Sequence, residues 1–475
     1  MTFEQLNLDT ELIQALYTLG YEKPLPVQEK VIPILLEQKD CIVKSRTGSG
    51  KTASFAIPII QNLKIDERSP QALVLTPTRE LALQIQQDFD HIGTFKKVKT
   101  LPIFGKQPFK FQKEDLKQRC HVVIGTPGRV LDHLQQETLD PSKIKYVILD
   151  EADEMLNMNF LEEVQAILKY MPFHHTTCLF SATYPEVIQR MSKKYLKKPE
   201  KVDLSDTIKP NILQYAYLVE EINKPLFLLH LLAKEKPESC MIFCKTQARV
   251  DEVYEILMNH SVSVDKIHGG MMQEERLMHM KRFKKGKVRI LVCTDVASRG
   301  IDVFKVDLIV NYDMPSPVET YTHRIGRSGR VKQRGIAISF VNEYDGVRLE
   351  KLEAYLGENL LFHDVSEAWN SDLDALESLK ESTRVVIDKS KDLRKDITKI
   401  YINGGKNKKI RPGDIVGAIC EIEGVTADDI GVIQVQDHQS YVDILNNKGK
   451  IVLKNLKNIK GKTLRIQKAK NGFSQ

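Results

Sequence analysis

The chain has 475 residues, of which 42% are hydrophobic and 28% charged, and its formal net charge is +7. That length exceeds what a single hydrophobic core supports and points to two to four domains of ordinary globular composition. No run approaches the roughly 20 apolar residues that a membrane span needs, and Met1-Thr2-Phe3-Glu4-Gln5 lacks the basic-then-apolar pattern of an export signal, so a cytoplasmic location is expected.

The seven cysteines (Cys41, Cys120, Cys178, Cys240, Cys244, Cys293 and Cys420) are scattered, as suits a reducing compartment. Cys240 and Cys244 form the one close pair. No second Cys/His pair lies at ligand spacing, which argues against zinc. Charge is distributed unevenly. From Thr383 to Gln475 there are 19 Lys+Arg and 10 Asp+Glu, a balance of +9 that leaves −2 for the preceding 382 residues. A basic module joined to a nearly neutral one points to a polyanionic partner.

Residues 1–205 alternate short apolar runs with amphipathic stretches. The runs at 41–43, 72–75, 121–124, 147–149 and 178–180 predict buried parallel strands joined by crossover helices, hence a doubly wound α/β domain. The pattern lapses at 205–210 and restarts. Runs at 239–243, 264–267, 289–292, 308–310 and 335–340 predict a second α/β domain over 211–362. Residues 363–396 are polar, with Leu373, Leu376 and Leu379 at helical spacing, and read as a linker. Residues 397–475 read as a βαββαβ module, with strands at 397–402, 430–436, 440–445 and 463–467 and helices at 412–421 and 451–458. This split βαβ pattern is used by many RNA-binding modules.

Two segments of the first domain carry nucleotide chemistry. In Ser45-Arg46-Thr47-Gly48-Ser49-Gly50-Lys51-Thr52 the two glycines let successive backbone N–H groups turn toward phosphate oxygens. Lys51 adds a positive charge and Thr52 a hydroxyl for Mg²⁺; Ser45 stands where the usual pattern has its first glycine. Asp150-Glu151-Ala152-Asp153 follows an apolar strand, which places Asp150 as a metal partner and Glu151 as the base that orients water. Together they point to binding and hydrolysis of a nucleoside triphosphate with Mg²⁺. Upstream, Gln28 ends a loop beginning at Gly20-Tyr21, with Phe3 further back. A glutamine amide can donate to and accept from an adenine edge, which would select ATP; a plain helix-start loop is the alternative. In the second domain, His323-Arg324-Ile325-Gly326-Arg327-Ser328-Gly329-Arg330 is dense in cations. Arg327 and Arg330, three apart, would share one helix face and suit the charge developing on a γ-phosphoryl group across a cleft. A solvated basic face or an RNA-phosphate contact are the alternatives.

These segments resemble the DEAD-box ATP-dependent RNA helicases over residues 1 to about 360. The marks are Gln28 with its loop, 45–52, Pro77-Thr78-Arg79-Glu80-Leu81, Thr126-Pro127-Gly128-Arg129, Asp150–Asp153, Ser181-Ala182-Thr183, Gln273, Arg276, the run from Thr294 to Asp302, and 323–330. The resemblance implies two tandem RecA-like domains with Phe3, Tyr21 and Gln28 at the nucleotide and Asp302 at its ribose. It implies an RNA path along Arg79, Thr126, Gly128 and Arg129 in the first domain and Thr246, Gly269, Thr294 and Arg299 in the second. Ser181 and Thr183 would link the ATP site to RNA, and Asp153 with His323 would tie the domains together. Leu25 replaces the family's usual threonine, Phe104-Gly105-Lys106 replaces paired glycines, and Ala297-Ser298-Arg299 replaces Ala-Ala-Arg.

Residues 397–470 resemble the RNA-binding domain of that family's DbpA/YxiN branch, itself similar to an RRM. This implies direction to 23S ribosomal RNA and a role in large (50S) subunit assembly, by a chain expected to be monomeric; general RNA remodelling or annealing is the alternative. Tyr401 and Tyr441 fall in the two aromatic signatures, but Gln439 occupies an expected stacking position. The two tyrosines therefore read equally as sheet aromatics, and Lys406, Lys408, Lys409 and Arg411 are the further candidates for RNA contact.

Overall fold

The computed structural model describes residues 1–45, 49–204, 212–295, 306–328, 335–382, 390–393 and 395–469. The first domain is a parallel sheet of β1 (Cys41–Lys44), β2 (Ala72–Leu75), β3 (Thr100–Ile103), β4 (Val122–Gly125), β5 (Tyr146–Leu149), β6 (Thr176–Ser181) and β7 (Glu200–Asp203), in the order β3-β4-β2-β5-β6-β1-β7. Alternate residues of its central strands enter two separate cores, as the two-residue period of a strand requires. Val74, Ile124, Ile148 and Phe180 face one helical layer; Leu73, Val123, Val147 and Leu179 face the other.

The second domain contains β8 (Ile212–Leu218), β9 (Cys240–Phe243), β10 (Val264–Ile267), β11 (Ile290–Cys293), β12 (Leu308–Asn311), β13 (Gly335–Val341) and β14 (Leu361–His363). Its parallel order is β10-β11-β9-β12-β13-β8-β14. Counted from its own first strand, this repeats the order of the first domain. The strands absent from the sequence expectation are β3, β7, β8 and β14. Thr100–Ile103 contains Pro102, Glu200–Asp203 is mostly charged, and β3, β7 and β14 are edge strands, where no continuous apolar run is needed, while β8 lies next to one.

The expected linker at 363–396 is corrected in its first half. Residues through Leu379 belong to the second domain: Ala368, Leu376 and Leu379 are buried in the core that holds Phe227 and Phe340. Trp369 meets Phe227 edge-on with 5.4 Å between ring centroids. The leucine spacing marks an apolar stripe on a 3₁₀ helix, Leu373–Leu379, laid over this core. Beyond it, Ser390–Leu393 packs on the first-domain helix Thr10–Thr18, with Leu393 buried.

The C-terminal module comprises β15 (Thr398–Ile402), β16 (Ile430–Val435), β17 (Ser440–Ile444), β18 (Asn458–Ile459), β19 (Lys462–Thr463) and β20 (Ile466–Lys468). Its antiparallel sheet runs β16-β17-β15-β20, with helices Pro412–Cys420 and Gly449–Asn455 completing the βαββαβ chain order. The last strand starts later than expected because β18 and β19 form a small hairpin around Lys460-Gly461. Ile400, Ile402, Val442 and Ile444 form the core, so Tyr401 and Tyr441 lie on the opposite, open face. The module touches the first domain through Lys97 Nζ, which donates to the Ala427 carbonyl (3.1 Å), and Lys99 Nζ, which donates to the Ile433 carbonyl (2.5 Å). Among the described residues no helix is long and apolar enough to cross a membrane.

Candidate active site at the interdomain cleft

The candidate residues of both α/β domains gather at the carboxyl ends of parallel strands, where doubly wound sheets place their ligands. β1 ends at Lys44 and leads into the glycine turn. Ser45 is buried, and its N–H donates to the Ser181 carbonyl at 3.1 Å. Ser49 Oγ lies 3.4 Å from Ser45 Oγ. Arg46, Thr47 and Gly48 lie outside the described residues. Gly50 starts the helix Lys51–Asn62 at φ +89°, and a Cβ there would sit 2.7 Å from Leu25 Cδ1 and 2.8 Å from Gln28 Nε2. Both its dihedral and its crowding require glycine.

That crowding shows how Gln28 is used. It is fully buried; Oε1 accepts from the Leu25 N–H (2.9 Å) and Nε2 donates to the Gly50 carbonyl (3.2 Å). The amide therefore ties the loop before helix Pro26–Leu36 to the glycine turn. Phe3 is corrected as a nucleotide contact: it is fully buried in the first-domain core and meets Tyr21 edge-on at 6.4 Å. Tyr21, the ring it packs against, is half-buried.

Lys51 is buried, and its Nζ has no hydrogen-bond partner among the described residues. A buried ammonium without a partner is costly and fits an incoming anion. The two carboxylates stand in the same field. Asp150 is buried at the end of β5, with Oδ1 accepting the Glu151 N–H at 3.0 Å. Burial raises its pKa, against the pull of Lys51. Burial, then the charge of Asp150, pushes Glu151 up to about 7, opposed by Lys51 and Arg327. Glu151 also sits at φ +53°, a left-handed conformation rare for a glutamate and of the kind that clusters at functional sites. Among the described residues no cluster of three His, Cys, Asp or Glu can hold a metal unaided. Asp150 and Thr52 supply one carboxylate and one hydroxyl oxygen, donors of the kind Mg²⁺ takes when phosphate and water complete its shell.

Asp153 is the hub of a chain leading out of this site. Its Oδ2 accepts from the Thr183 N–H (2.8 Å) and Oγ1 (3.0 Å), and Ser181 Oγ donates to the Thr183 carbonyl. From the second domain, His323 brings Nε2 to 3.9 Å from Asp153 Oδ2 and Nδ1 to 2.5 Å from Glu154 Oε1. Glu154 was not expected; its place one turn along from Glu151 is the signal that could have found it. A second bridge joins Glu80 Oε1 to Gln273 Nε2 (3.0 Å) and Arg276 Nη2 (2.9 Å).

Burial lowers the His323 pKa, but the Glu154 hydrogen bond and the charges of Glu154, Asp153 and Glu151 outweigh it, so the net shift is upward from 6.5. The pair is then fully formed below pH 6.5 and fades as pH rises through the raised value. We expect the separation of the two domains, read by a distance probe on each, to grow across that window and to become pH-independent there in His323→Asn. An unchanged profile in the variant would remove His323 from this role.

The expectation that Arg327 and Arg330 share a helix face is corrected for Arg327. The helix Glu319–Ile325 stops at Gly326, and Arg327 lies in the following turn, its carbonyl accepting from the Val306 N–H at 2.8 Å. Arg327 is buried near enough to Glu151 to act on its charge. Arg299, Asp302 and Arg330 lie outside the described residues. Arg324, passed over in the sequence, is instead a buried structural cation. It donates to Asp295 Oδ1 and Oδ2 (2.6 and 2.7 Å), Asn311 Oδ1 (3.1 Å) and the Asp313 carbonyl (2.7 Å).

The RNA-path candidates sit where strands meet helices. Thr78 caps Arg79–Ile92 by accepting the Leu81 N–H, and Thr246 caps Gln247–Asn259 by accepting the Arg249 N–H. Thr126, Gly128 and Arg129 open the helix Pro127–Gln135 after β4; Gly269 and Thr294 follow β10 and β11. Free N–H groups at such helix starts suit phosphates. In the C-terminal module Tyr401 and Tyr441 are direct cross-strand partners, edge-on at 5.7 Å, flanked by Gln434 and Gln467. Lys406, Lys408, Lys409 and Arg411 are exposed. Lys460 and Lys462, which the sequence reading missed, join them by donating to the Lys409 and Lys408 carbonyls at 3.1 and 2.6 Å.

Residues 25–191 match the DEAD/DEAH box helicase family, 223–332 the Helicase conserved C-terminal domain and 399–468 the DbpA RNA binding domain. The chain is 47% identical to the ATP-dependent RNA helicase DbpA of Bacillus subtilis (strain 168), over 98% of this chain and 99% of the relative. It belongs to the DEAD-box ATP-dependent RNA helicases. The helicase is also 42% identical to the DEAD-box ATP-dependent RNA helicase CshA of Geobacillus kaustophilus, over 74% of this chain and 76% of that protein. That second match covers a share of the chain close to that of the two α/β domains. Among solved structures, S. cerevisiae Dbp5 bound to RNA and ADP BeF3 superposes with a TM-score of 0.71 at 29% identity, covering 80% of the helicase and all of that chain.

Proposed function

We propose that this helicase is directed by residues 397–475 to 23S ribosomal RNA and acts, as a cytoplasmic monomer, on precursors of the large (50S) ribosomal subunit. The supporting observation is the match of residues 399–468 to the DbpA RNA binding domain, in a chain that aligns with a protein named DbpA along nearly its whole length. The exposed cations of that module fit a polyanion.

The site residues suggest how the motor runs. Residues 45–52 enclose the phosphates, Lys51 neutralises them, and Thr52 with Asp150 would hold Mg²⁺, which neutralises developing charge when bound. Glu151 orients the attacking water. Arg327 and Arg330 steady the γ-phosphoryl group from the other domain, and Asp302 holds the ribose. RNA lies along Arg79, Thr126, Gly128 and Arg129, then Thr246, Gly269, Thr294 and Arg299. ATP and RNA each favour the closed cleft, which a single strand can follow and a regular duplex cannot. Hydrolysis removes the phosphate that spans the cleft, and the cleft reopens. Core contacts of this kind read backbone and 2′-hydroxyls, so selectivity falls to the tethered module, which raises the effective concentration of its target at the cleft.

Deleting residues 383–475 tests this reading. The truncated chain is expected to keep ATPase stimulated by unrelated RNA and to lose its preference for 23S ribosomal RNA in competition. A preference that survives the deletion would favour general RNA remodelling by the two α/β domains alone.

A further inference from the structure

A buried glutamine underlies the first-domain RNA path. Gln112 lies on the helix Phe109–Leu116 and is 3% exposed. It belongs to none of the motifs that mark the family, yet its amide uses every hydrogen-bonding position it has. Nε2 donates to the Phe104 carbonyl (2.9 Å) and to Gln107 Oε1 (3.1 Å). Oε1 accepts from Arg129 Nη1 (3.0 Å) and faces His133 Nε2 (3.2 Å).

The fixed donors and acceptors around the amide set its orientation. A guanidinium only donates and a main-chain carbonyl only accepts, so Arg129 and Phe104 decide which end of the amide is oxygen. The amide oxygen then requires a proton on His133 Nε2, which leaves Nδ1 as an acceptor 2.7 Å from the Thr138 hydroxyl, a group that also donates to the His133 carbonyl at 3.1 Å. Burial, then the charge of Arg129, pushes this imidazole down to about 4, so the ring is neutral, as the arrangement demands. Phe109 stacks on His133 with centroids 4.1 Å apart and lies 5.8 Å beneath the Arg129 guanidinium. Arg129 Nη1 also donates to the Gln107 carbonyl at 2.9 Å. The tie to Phe104 holds the start of the loop carrying Gly105 and Lys106, and a Cβ at Gly105 would lie 3.8 Å from Arg79 Nη2.

We propose that Gln112 is a positioning residue for RNA: through Arg129 and the 104–107 loop it presets the edge that receives an RNA backbone. This rests on the reading of Arg129 as an RNA contact. A free arginine side chain loses rotamer entropy when a phosphate captures it; here the Gln112 and Gln107 oxygens, the Asp132 carboxylate 3.6 Å from Nε and the Phe109 ring hold it before RNA arrives, so that loss is already met on folding. Gln112→Leu keeps the shape, removes one of the acceptors that hold Arg129, and leaves the Phe104 carbonyl and the His133 N–H without their partner.

The test is anisotropy of a fluorescent poly-uridine strand bound by the full-length chain with a non-hydrolysable ATP analogue. Gln112→Leu is expected to weaken RNA binding about tenfold and to leave affinity for a fluorescent nucleotide unchanged. Gln112→Glu keeps one acceptor oxygen facing Arg129 but loses the donors to Phe104 and Gln107, so it is expected to bind RNA more weakly than the parent and more tightly than Gln112→Leu. A merely structural glutamine predicts the reverse ranking, because a buried carboxylate facing the Phe104 carbonyl disrupts packing more than leucine does. In an Arg129→Ala background Gln112→Leu should add nothing. Unchanged RNA affinity in Gln112→Leu, an effect additive with Arg129→Ala, or a glutamate variant no better than leucine would each overturn the proposal. If Arg129→Ala alone leaves RNA affinity unmoved, the RNA-contact reading itself falls and takes this inference with it.

Discussion

Glu151→Gln is expected to lower kcat for ATP hydrolysis by about 10³-fold while preserving nucleotide binding. The loss follows from chemistry: an amide cannot take a proton from water. The preserved binding follows from the field around the residue. Glu151 is buried beside Asp150, and burial and that neighbouring charge push its carboxyl up to about 7. Glutamine has nearly the same shape and removes a like charge from beside Asp150, so Lys51 and Asp150 keep their places. A carboxyl whose folded pKa is raised costs stability once the pH exceeds its ordinary 4.5, and the cost is complete above the raised value. The variant should therefore melt higher than the parent at pH 8 and level with it near pH 4. Near-normal turnover would remove Glu151 from the role of base. Level melting points at pH 8 would remove the electrostatic account.

Arg324→Leu is expected to destabilise the second domain by about 3–5 kcal/mol and lower its melting transition by roughly 10 °C, with the first domain's transition unmoved. Arg324 is one of the largest fully buried side chains, and its guanidinium lies 5.1 Å over the Phe243 ring. Leucine fills part of the space but leaves both Asp295 oxygens, the Asn311 carbonyl oxygen and the Asp313 carbonyl without their donor. Lysine is expected to restore little, because one ammonium cannot match a planar fork with donors on three sides. Scanning calorimetry with ADP, which lacks the γ-phosphate gripped from the second domain and so raises chiefly the first domain's transition, distinguishes the two. A single unshifted second-domain transition would show Arg324 to be dispensable to the fold.

What the sequence made legible was whatever is written within one strand and its turn. The run Val147–Leu149 ahead of Asp150 and the glycines ahead of Lys51 are each a few residues long, and apolar patterning placed their strands correctly. What it hid were partners brought together from far apart. Gln28 read as an adenine contact or part of a plain helix-start loop, and its tie to the Gly50 carbonyl came only with the fold. Arg324 and Arg327 are alike in a string of cations; the helix end at Gly326 sends one into the domain core and the other toward Glu151. The polar stretch after 362 looked like a connector because one apolar stripe is enough to bind a short helix to an existing core. Edge strands escaped for the same reason, since a strand paired on one side needs little apolar sequence.

The repeated strand order carries a last consequence. β2, β3 and β4 of the first sheet correspond to β9, β10 and β11 of the second. Thr78 and Thr246 follow the first of each trio, Gly105 and Gly269 the second, and Thr126 and Thr294 the third. A bound strand would thus cross two duplicate three-toothed combs. Each comb alone grips a short, regular stretch of backbone. The angle between the combs is set by how the halves of the molecule meet, so whatever fixes that meeting fixes the bend of the strand at the seam. On this geometry a mismatch between duplex and protein would be concentrated at one step of the backbone and not spread along it.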